Sequence, residues 1–421
     1  MQRCALLLSC ALVLPVAAQT TPEPRGTPPG ARAPAGFFPD RLARVDSFVE
    51  GLIAAQQIPG AVVMLVRDGR VAYHKAYGYR DVGTRAPLQK DDIFRIASQT
   101  KAITSLAVMM LWEEGRFGLD DPIGRYLPEF RRHTVLTKFN PADSSYQSDS
   151  TQRRITVRQL LTHTSGLDYP SIGSEEFRAI YAKAGVHAGI GTTNDVLADK
   201  MKVLATLPLR HQPGERFTYG LSSDLLGYFV EVISGMPLDQ FFRKRIFGPL
   251  GMRDTWFQLP ADRHSRLVTL HEGSSGKVVP EREPIEGAHP DFPARPGTYF
   301  SGGAGLSGTT ADYARFLQLF LNGGELDGVR LLSRKTVELM LTNQLPDMGN
   351  AFGLGFGLET AANDHRSPRG KGSFSWGGAF ATSYWADPEE RLIALIYTNV
   401  WSIPVAGLGD RFTTLVYSAL R

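Results

Sequence analysis

The sequence predicts an α/β fold of the α+β kind: one antiparallel sheet built from both chain ends, flanked by helices, with a mostly helical subdomain inserted between them. Three observations predict it. The N-terminal part reads helix, strand, strand and the C-terminal part strand, strand, helix, so each end offers a hairpin and a helix to cover it. The stretch between them carries mainly helical periodicity. At 421 residues the chain is long enough for two cores, or for one core with a large insertion.

Taken in order, the first segment is a charged start at Arg3, an apolar run from Cys4 to Val16 and the small residues Ala17 and Ala18. This pattern predicts a secretory signal peptide over residues 1–18 and a mature protein that is periplasmic or secreted. The run is shorter than the about 20 apolar residues that span a bilayer, and no later stretch qualifies as an integral membrane segment. Both cysteines, Cys4 and Cys10, fall inside it, so the mature chain has no thiol and no disulfide, which suits an oxidising compartment. Residues 19–36 are rich in Pro, Gly and Ala and read as a disordered leader. The sheet domain is expected to be discontinuous, residues 37–120 with 300–421, and the helical subdomain to cover 121–299.

A first helix is predicted from about Pro39 to Gln57, with Leu42, Val45, Phe48, Val49 and Leu52 at helical spacing. The run Gly60 to Arg67 and the run Arg70 to Tyr77 flank Asp68-Gly69, a strong hairpin signal. The other end mirrors this with Ala381 to Ala386, a turn at Asp387-Pro388-Glu389-Glu390, Leu392 to Thr398, and a helix near Leu408 to Leu420. The polar stretch Arg131 to Arg154 reads as a surface loop. The net charge of +4 is spread through the chain without a dense basic run, so no nucleic-acid partner is expected.

Ser98-Gln99-Thr100-Lys101 opens a helix that runs to about Glu114 and stops at Gly115. The i, i+3 spacing puts Ser98 and Lys101 on one face. The helix body from Ala102 to Trp112 is apolar nearly all round, which predicts burial. A cation in the first turn of such a helix stands against the local electrostatics, which points to a chemical role, that of taking a proton from a serine hydroxyl. Spacing alone does not single the pair out, because Ser274-Ser275-Gly276-Lys277 matches too, in a turn that has no helix to fix it.

Four segments then occur in a telling order: Ser98-Gln99-Thr100-Lys101, Leu160-Leu161-Thr162-His163-Thr164-Ser165-Gly166-Leu167, Phe247-Gly248-Pro249-Leu250-Gly251-Met252, and Trp376-Gly377-Gly378. Together they resemble the serine β-lactamase/penicillin-binding superfamily, and within it the esterases related to class C β-lactamases (family VIII carboxylesterases), from about Phe38 onward. The resemblance implies a serine hydrolase with Ser98 as nucleophile and a site between the sheet and the helical region. It implies Tyr219, in Tyr219-Gly220-Leu221, as general base, held anionic by Lys101. Leu221 stands where β-lactamases have asparagine. It further implies an oxyanion hole from the backbone amides of Ser98 and Ala379, with Trp376, Gly377 and Gly378 binding substrate. Trp376 replaces the lysine of the β-lactamase Lys-Thr-Gly strand, which removes a grip on a substrate carboxylate and points to uncharged esters. Lys371 lies nearby but off the motif, and Gly302-Gly303-Ala304-Gly305 reads as a conformational segment near the site.

His163 invites a Ser-His-Asp triad, but its Thr-Ser-Gly turn reads as structural, and no G-x-S-x-G occurs in the chain. The nine histidines are scattered and no H-E-x-x-H occurs, so neither a metal nor another cofactor is expected. The expected partner is a small ester or amide. A β-lactamase or D-amino-acid peptidase on the same scaffold is the rival reading, and a non-catalytic binding protein a more distant one.

Overall fold

The structure, a computed structural model, describes residues 36–191 and 193–421. The predicted signal peptide, both cysteines and all of the predicted leader except Gly36 lie outside the described residues. Helix α1 (Pro39–Ala54) buries Leu42, Val45, Val49 and Leu52, and it ends short of Gln57 because Gln56 turns into the left-handed region at φ 59°. Strands β1 (Gly60–Arg67) and β2 (Arg70–Asp81) are joined by Asp68-Gly69, both at positive φ as a tight hairpin of matching twist requires. A short β3 (Ala86–Pro87) extends that edge. Helix α2 (Thr100–Glu113) follows, with every residue from Thr100 to Leu111 buried, and Gly115 ends it at φ 70°.

In the middle of the chain, α3 (Ser222–Ser234) is capped by Gly235 in the left-handed region. Helix α4 (Thr310–Leu321) leads back to the sheet through β4 (Gly357–Leu358), β5 (Phe374–Gly378), β6 (Thr382–Asp387) and β7 (Leu392–Tyr397), and α5 (Leu408–Ser418) closes the sequence of elements. The sheet runs β4-β5-β6-β7-β1-β2-β3, antiparallel throughout, so the C-terminal hairpin meets the N-terminal one at β7 and β1. The predicted fold class is therefore observed.

Alternation along the strands divides the interior. Ala61, Val63 and Leu65 of β1 face α1 and α5 together with Trp385, Ala394 and Ile396. Val62, Met64 and Val66 face the other way, and the core on that side continues without a break through α2, α4 and α3. Burying each Leu, Ile, Val or Met stabilises the fold by roughly 1.5–3 kcal/mol, so a helix as fully enclosed as α2 is a fixed platform.

One expectation fails. Arg131 to Arg154 is not a loop: Thr134–Asn140 and Ser145–Ser150 pair as an antiparallel hairpin. Most of its residues are at least partly exposed, and it docks through the Leu136 amide on the Leu209 carbonyl. Its strands lack the apolar alternation of a half-buried sheet, so the surface position was readable and the pairing was not.

Candidate active site

The chain enters the site along Phe94–Arg95. Arg95 is fully buried and its guanidinium donates to the carbonyls of Val268, Phe292 and Pro290, which anchors the backbone just before the candidate nucleophile. Burial pulls its pKa down to about 9, still above neutral pH. Ala97 then adopts φ 42°, a left-handed conformation that a residue with a Cβ rarely takes, and Ala97–Gln99 form a single 3-10 turn. Ser98 therefore lies in this turn and not in α2 itself, which begins at Thr100. The i, i+3 logic still holds: Lys101 Nζ donates to Ser98 Oγ at 3.2 Å.

Lys101 is 3% exposed, whereas Ser98 is only half-buried. The Lys101 ammonium also donates to the Gly303 carbonyl at 2.8 Å and lies over the rings of Tyr219 and Tyr169, 4.7 and 5.5 Å from their centroids. Neighbouring residues of α2 hold the same glycine segment: Thr104 Oγ1 donates to the Gly302 carbonyl at 2.6 Å, and Thr100 Oγ1 accepts from the Leu306 amide at 3.1 Å. The segment Gly302–Gly305 is thus stitched to the nucleophile's helix.

Tyr219 precedes α3 and is half-buried, with its ring in the site. Gly220 lets this backbone press on the next segment, since a Cβ there would come within 2.2 Å of the Leu167 carbonyl. Leu221 is fully buried and belongs to the core. Trp376 Nε1 donates to the Tyr219 hydroxyl at 3.4 Å. Trp376 therefore touches the candidate base, a contact that its expected role in binding substrate does not include. Around the pair stand Phe352, with its ring 5.4 Å from Trp376, and His163, 4.9 Å from Tyr219.

His163 is enclosed, and burial together with the Lys101 cation lowers its pKa to about 3. It is neutral at working pH and too weak a base to serve a triad. Its Nδ1 accepts from the Gly220 amide and its carbonyl from the Thr218 amide, so it fastens the loop that carries Tyr219. The short helix Val157–Leu161, closed by a Thr156/Gln159 capping box, delivers His163 to that place.

At the other wall, Gly378 ends β5 against the chain leading to Ser98: a Cβ there would lie 2.4 Å from the Ile96 carbonyl and 2.3 Å from Thr382 Oγ1. This contact sets the exposed Ala379 beside the Ser98 turn, and Gly377 is exposed on the same strand. Lys371 is remote in function, paired with Asp364 at 3.5 Å on the surface, and Ser274 to Lys277 is an exposed turn. Ser98, Lys101, Tyr219 and Trp376 are thus brought together, with Gly377, Gly378 and Ala379 alongside.

Sequence reasoning missed Tyr169. Its ring stacks on Tyr219 with centroids 5.7 Å apart and planes 7° apart, and its hydroxyl donates to the Ala188 carbonyl at 2.8 Å. Burial raises its pKa well above the usual phenol range, so it stays protonated and acts as a wall. The only sequence signal was its place two residues after the Thr-His-Thr-Ser-Gly-Leu segment.

Known proteins resemble this chain over most of its length. A family model described as Beta-lactamase matches residues 45–416. Esterase EstB of Burkholderia gladioli is 32% identical over 372 residues, covering 85% of this chain and 90% of that protein. A lovastatin esterase of Penicillium rubens is 31% identical over 382 residues, covering 83% and 90%. Among solved structures, EstCE1, described as a hydrolase with promiscuous acyltransferase activity, superposes with a TM-score of 0.77 at 28% identity, covering 90% of this chain and 99% of that one.

Proposed function

The chain belongs to the beta-lactamase family, as a serine hydrolase with esterase and acyltransferase relatives, and from that premise we propose that it is an exported enzyme that cleaves carboxylic esters through an acyl-enzyme on Ser98. The observation that carries this reading is the hydrogen-bonded Ser98–Lys101 pair with Tyr219 and Trp376 in contact beside it. Ser98 Oγ attacks the ester carbonyl and passes its proton to Tyr219, which has the Lys101 side chain over its ring and the Trp376 N–H on its hydroxyl. The Ser98 and Ala379 amides stabilise the oxyanion. The alcohol leaves with the proton, and water, activated by Tyr219, releases the acid.

Uncharged, apolar esters are the proposed substrates, because the half-buried Trp376 presents aromatic surface where a lysine would grip a carboxylate. The signal-peptide pattern of residues 1–18 supports export to the periplasm or medium. Transfer to an alcohol instead of water is a second reading, supported by the description of EstCE1.

The test is a panel of p-nitrophenyl esters, amides, a cephalosporin and a D-Ala-D-Ala peptide, with and without added alcohol, on wild type and Ser98→Ala. The reading expects a short-chain ester to lead in kcat/KM, Ser98→Ala to lose all turnover, and a phosphonate to label wild type only. A preference for the cephalosporin or the peptide, or activity that survives Ser98→Ala, overturns it.

A further inference from the structure

On the glycine segment that takes the Lys101 hydrogen bond, the structure holds a carboxyl group that the proposed reaction does not use. Asp224 lies in the first turn of α3 with no solvent exposure. Its Oδ1 accepts from Ser301 Oγ at 2.5 Å and, more weakly, from the Gly303 amide at 3.4 Å. Its Oδ2 has no hydrogen-bond partner among the described residues and faces Gly303 so closely that a Cβ there would lie 2.3 Å away. A buried carboxyl group with an unsatisfied oxygen is costly and calls for a reason.

The hydrogen bonds run onward from it. Ser301 Oγ, while donating to Asp224, accepts from the amides of Gly303 at 3.1 Å and Ala304 at 2.9 Å. The Ala304 N–H belongs to the same peptide group as the Gly303 carbonyl, and that carbonyl takes the Lys101 ammonium at 2.8 Å. Carboxylate, hydroxyl, peptide and ammonium thus form one polarised series, in which negative charge at Asp224 strengthens the Gly303 carbonyl as an acceptor. Burial raises the Asp224 pKa above its ordinary value, while the Ser301 hydrogen bond, the Lys101 charge and the Gly303 amide pull the other way and favour the carboxylate. The other titratable groups that sense it are Tyr169 and Tyr299, both buried and protonated.

We propose that Asp224 is a positioning residue: through Ser301 and the Gly303–Ala304 peptide it holds the Lys101 ammonium beside Ser98 and supplies the negative charge that sets the acid–base balance of the Lys101/Tyr219 couple. This rests on the acyl-enzyme reading above. Gly189 shields the arrangement, since a Cβ there would meet Ser301 Oγ at 2.4 Å and Asp224 Oδ1 at 2.9 Å.

The test is Asp224→Asn, which keeps shape and removes charge, assayed with a p-nitrophenyl ester across pH and normalised to the phosphonate-labelled fraction. The labelled wild type first establishes Ser98 chemistry, so failure of that reading shows there and not in the variant. The expected result is kcat down at least 10-fold, KM within about 2-fold, and the acidic limb of the rate profile moved to lower pH, because losing a nearby negative charge eases deprotonation of the couple. Ser301→Ala, which cuts the series but leaves the carboxyl group, should lower kcat in the same way with a smaller move of the limb. Should Asp224→Asn not fold, Ser301→Ala decides. Unchanged kcat and an unmoved limb per labelled site in the folded variants, with only thermal stability lowered, overturn the proposal.

Discussion

At the scale of single residues, the geometry divides the chemistry between a buried cation and a half-buried phenol. Lys101 is held by Ser98, by the Gly303 carbonyl and by two aromatic faces, while the Tyr219 hydroxyl receives the Trp376 N–H and remains open to substrate. If Tyr219 is the base and Lys101 its electrostatic partner, Tyr219→Phe and Lys101→Ala should each lower kcat for a p-nitrophenyl ester by roughly 10²-fold or more, and to similar extents. Steady-state kinetics on the two variants check this, and a fully active Tyr219→Phe enzyme would return the base role to Lys101. Ser98 and Lys101 were readable from the sequence because a local helix spacing joins them. Tyr169 and the Asp224–Ser301–Gly303 series were not, because Asp224, Ser301 and Lys101 come from distant parts of the chain and meet only through packing.

At the scale of elements, the legible parts were those whose burial imposes a period. Helices α1 and α2 showed their apolar positions, and the β1–β2 hairpin announced itself through Asp68-Gly69. The exposed hairpin of Thr134–Asn140 and Ser145–Ser150 had no such constraint, with Ser, Gln and Asp at every position of its second strand except Tyr146. The shift of Ser98 out of α2 was hidden as well, since the positive φ of Ala97 is imposed by the surrounding structure and not by a glycine. The junction of β5 with the Ser98 turn has no room for a side chain at Gly378. Gly378→Val would push the strand off the Ile96 carbonyl and separate the Ser98 and Ala379 amides. Loss of one oxyanion donor costs about 10²–10³ in kcat, so a drop of that order is expected with retained circular dichroism. A variant of native activity would remove Ala379 from the oxyanion hole.

At the scale of the whole molecule, buried histidines make stability depend on pH. His133 is buried with Nε2 unpartnered among the described residues, and burial lowers its pKa from 6.5 to about 4. Between those values the unfolded chain binds this proton and the folded one does not. Its contribution is therefore complete above pH 6.5 and is lost as pH falls towards 4, at ~1.4 kcal/mol per pH unit. Urea titrations of wild type and His133→Gln at pH 7, 6 and 5 should show the variant losing less stability on acidification. Parallel pH dependences would mean that His133 does not contribute. Asp312, whose carboxyl burial pushes up to about 6, works the opposite way, gaining its proton in the folded state first.

The central strand pairing also governs when the fold can form. β1 pairs with β2, made moments later, and with β7, which exists only once the chain has been synthesised through Tyr397. Until then the Val62–Arg67 edge and the apolar faces of β1 stay uncovered, and long-range closure of this kind is slow and prone to aggregation. The catalytic wall is late in the same sense, because β5 and β6 follow Ser98 by more than 270 residues and are joined to β1 through β7. A nascent chain therefore carries its nucleophile for most of its synthesis without the strand that would make that serine dangerous.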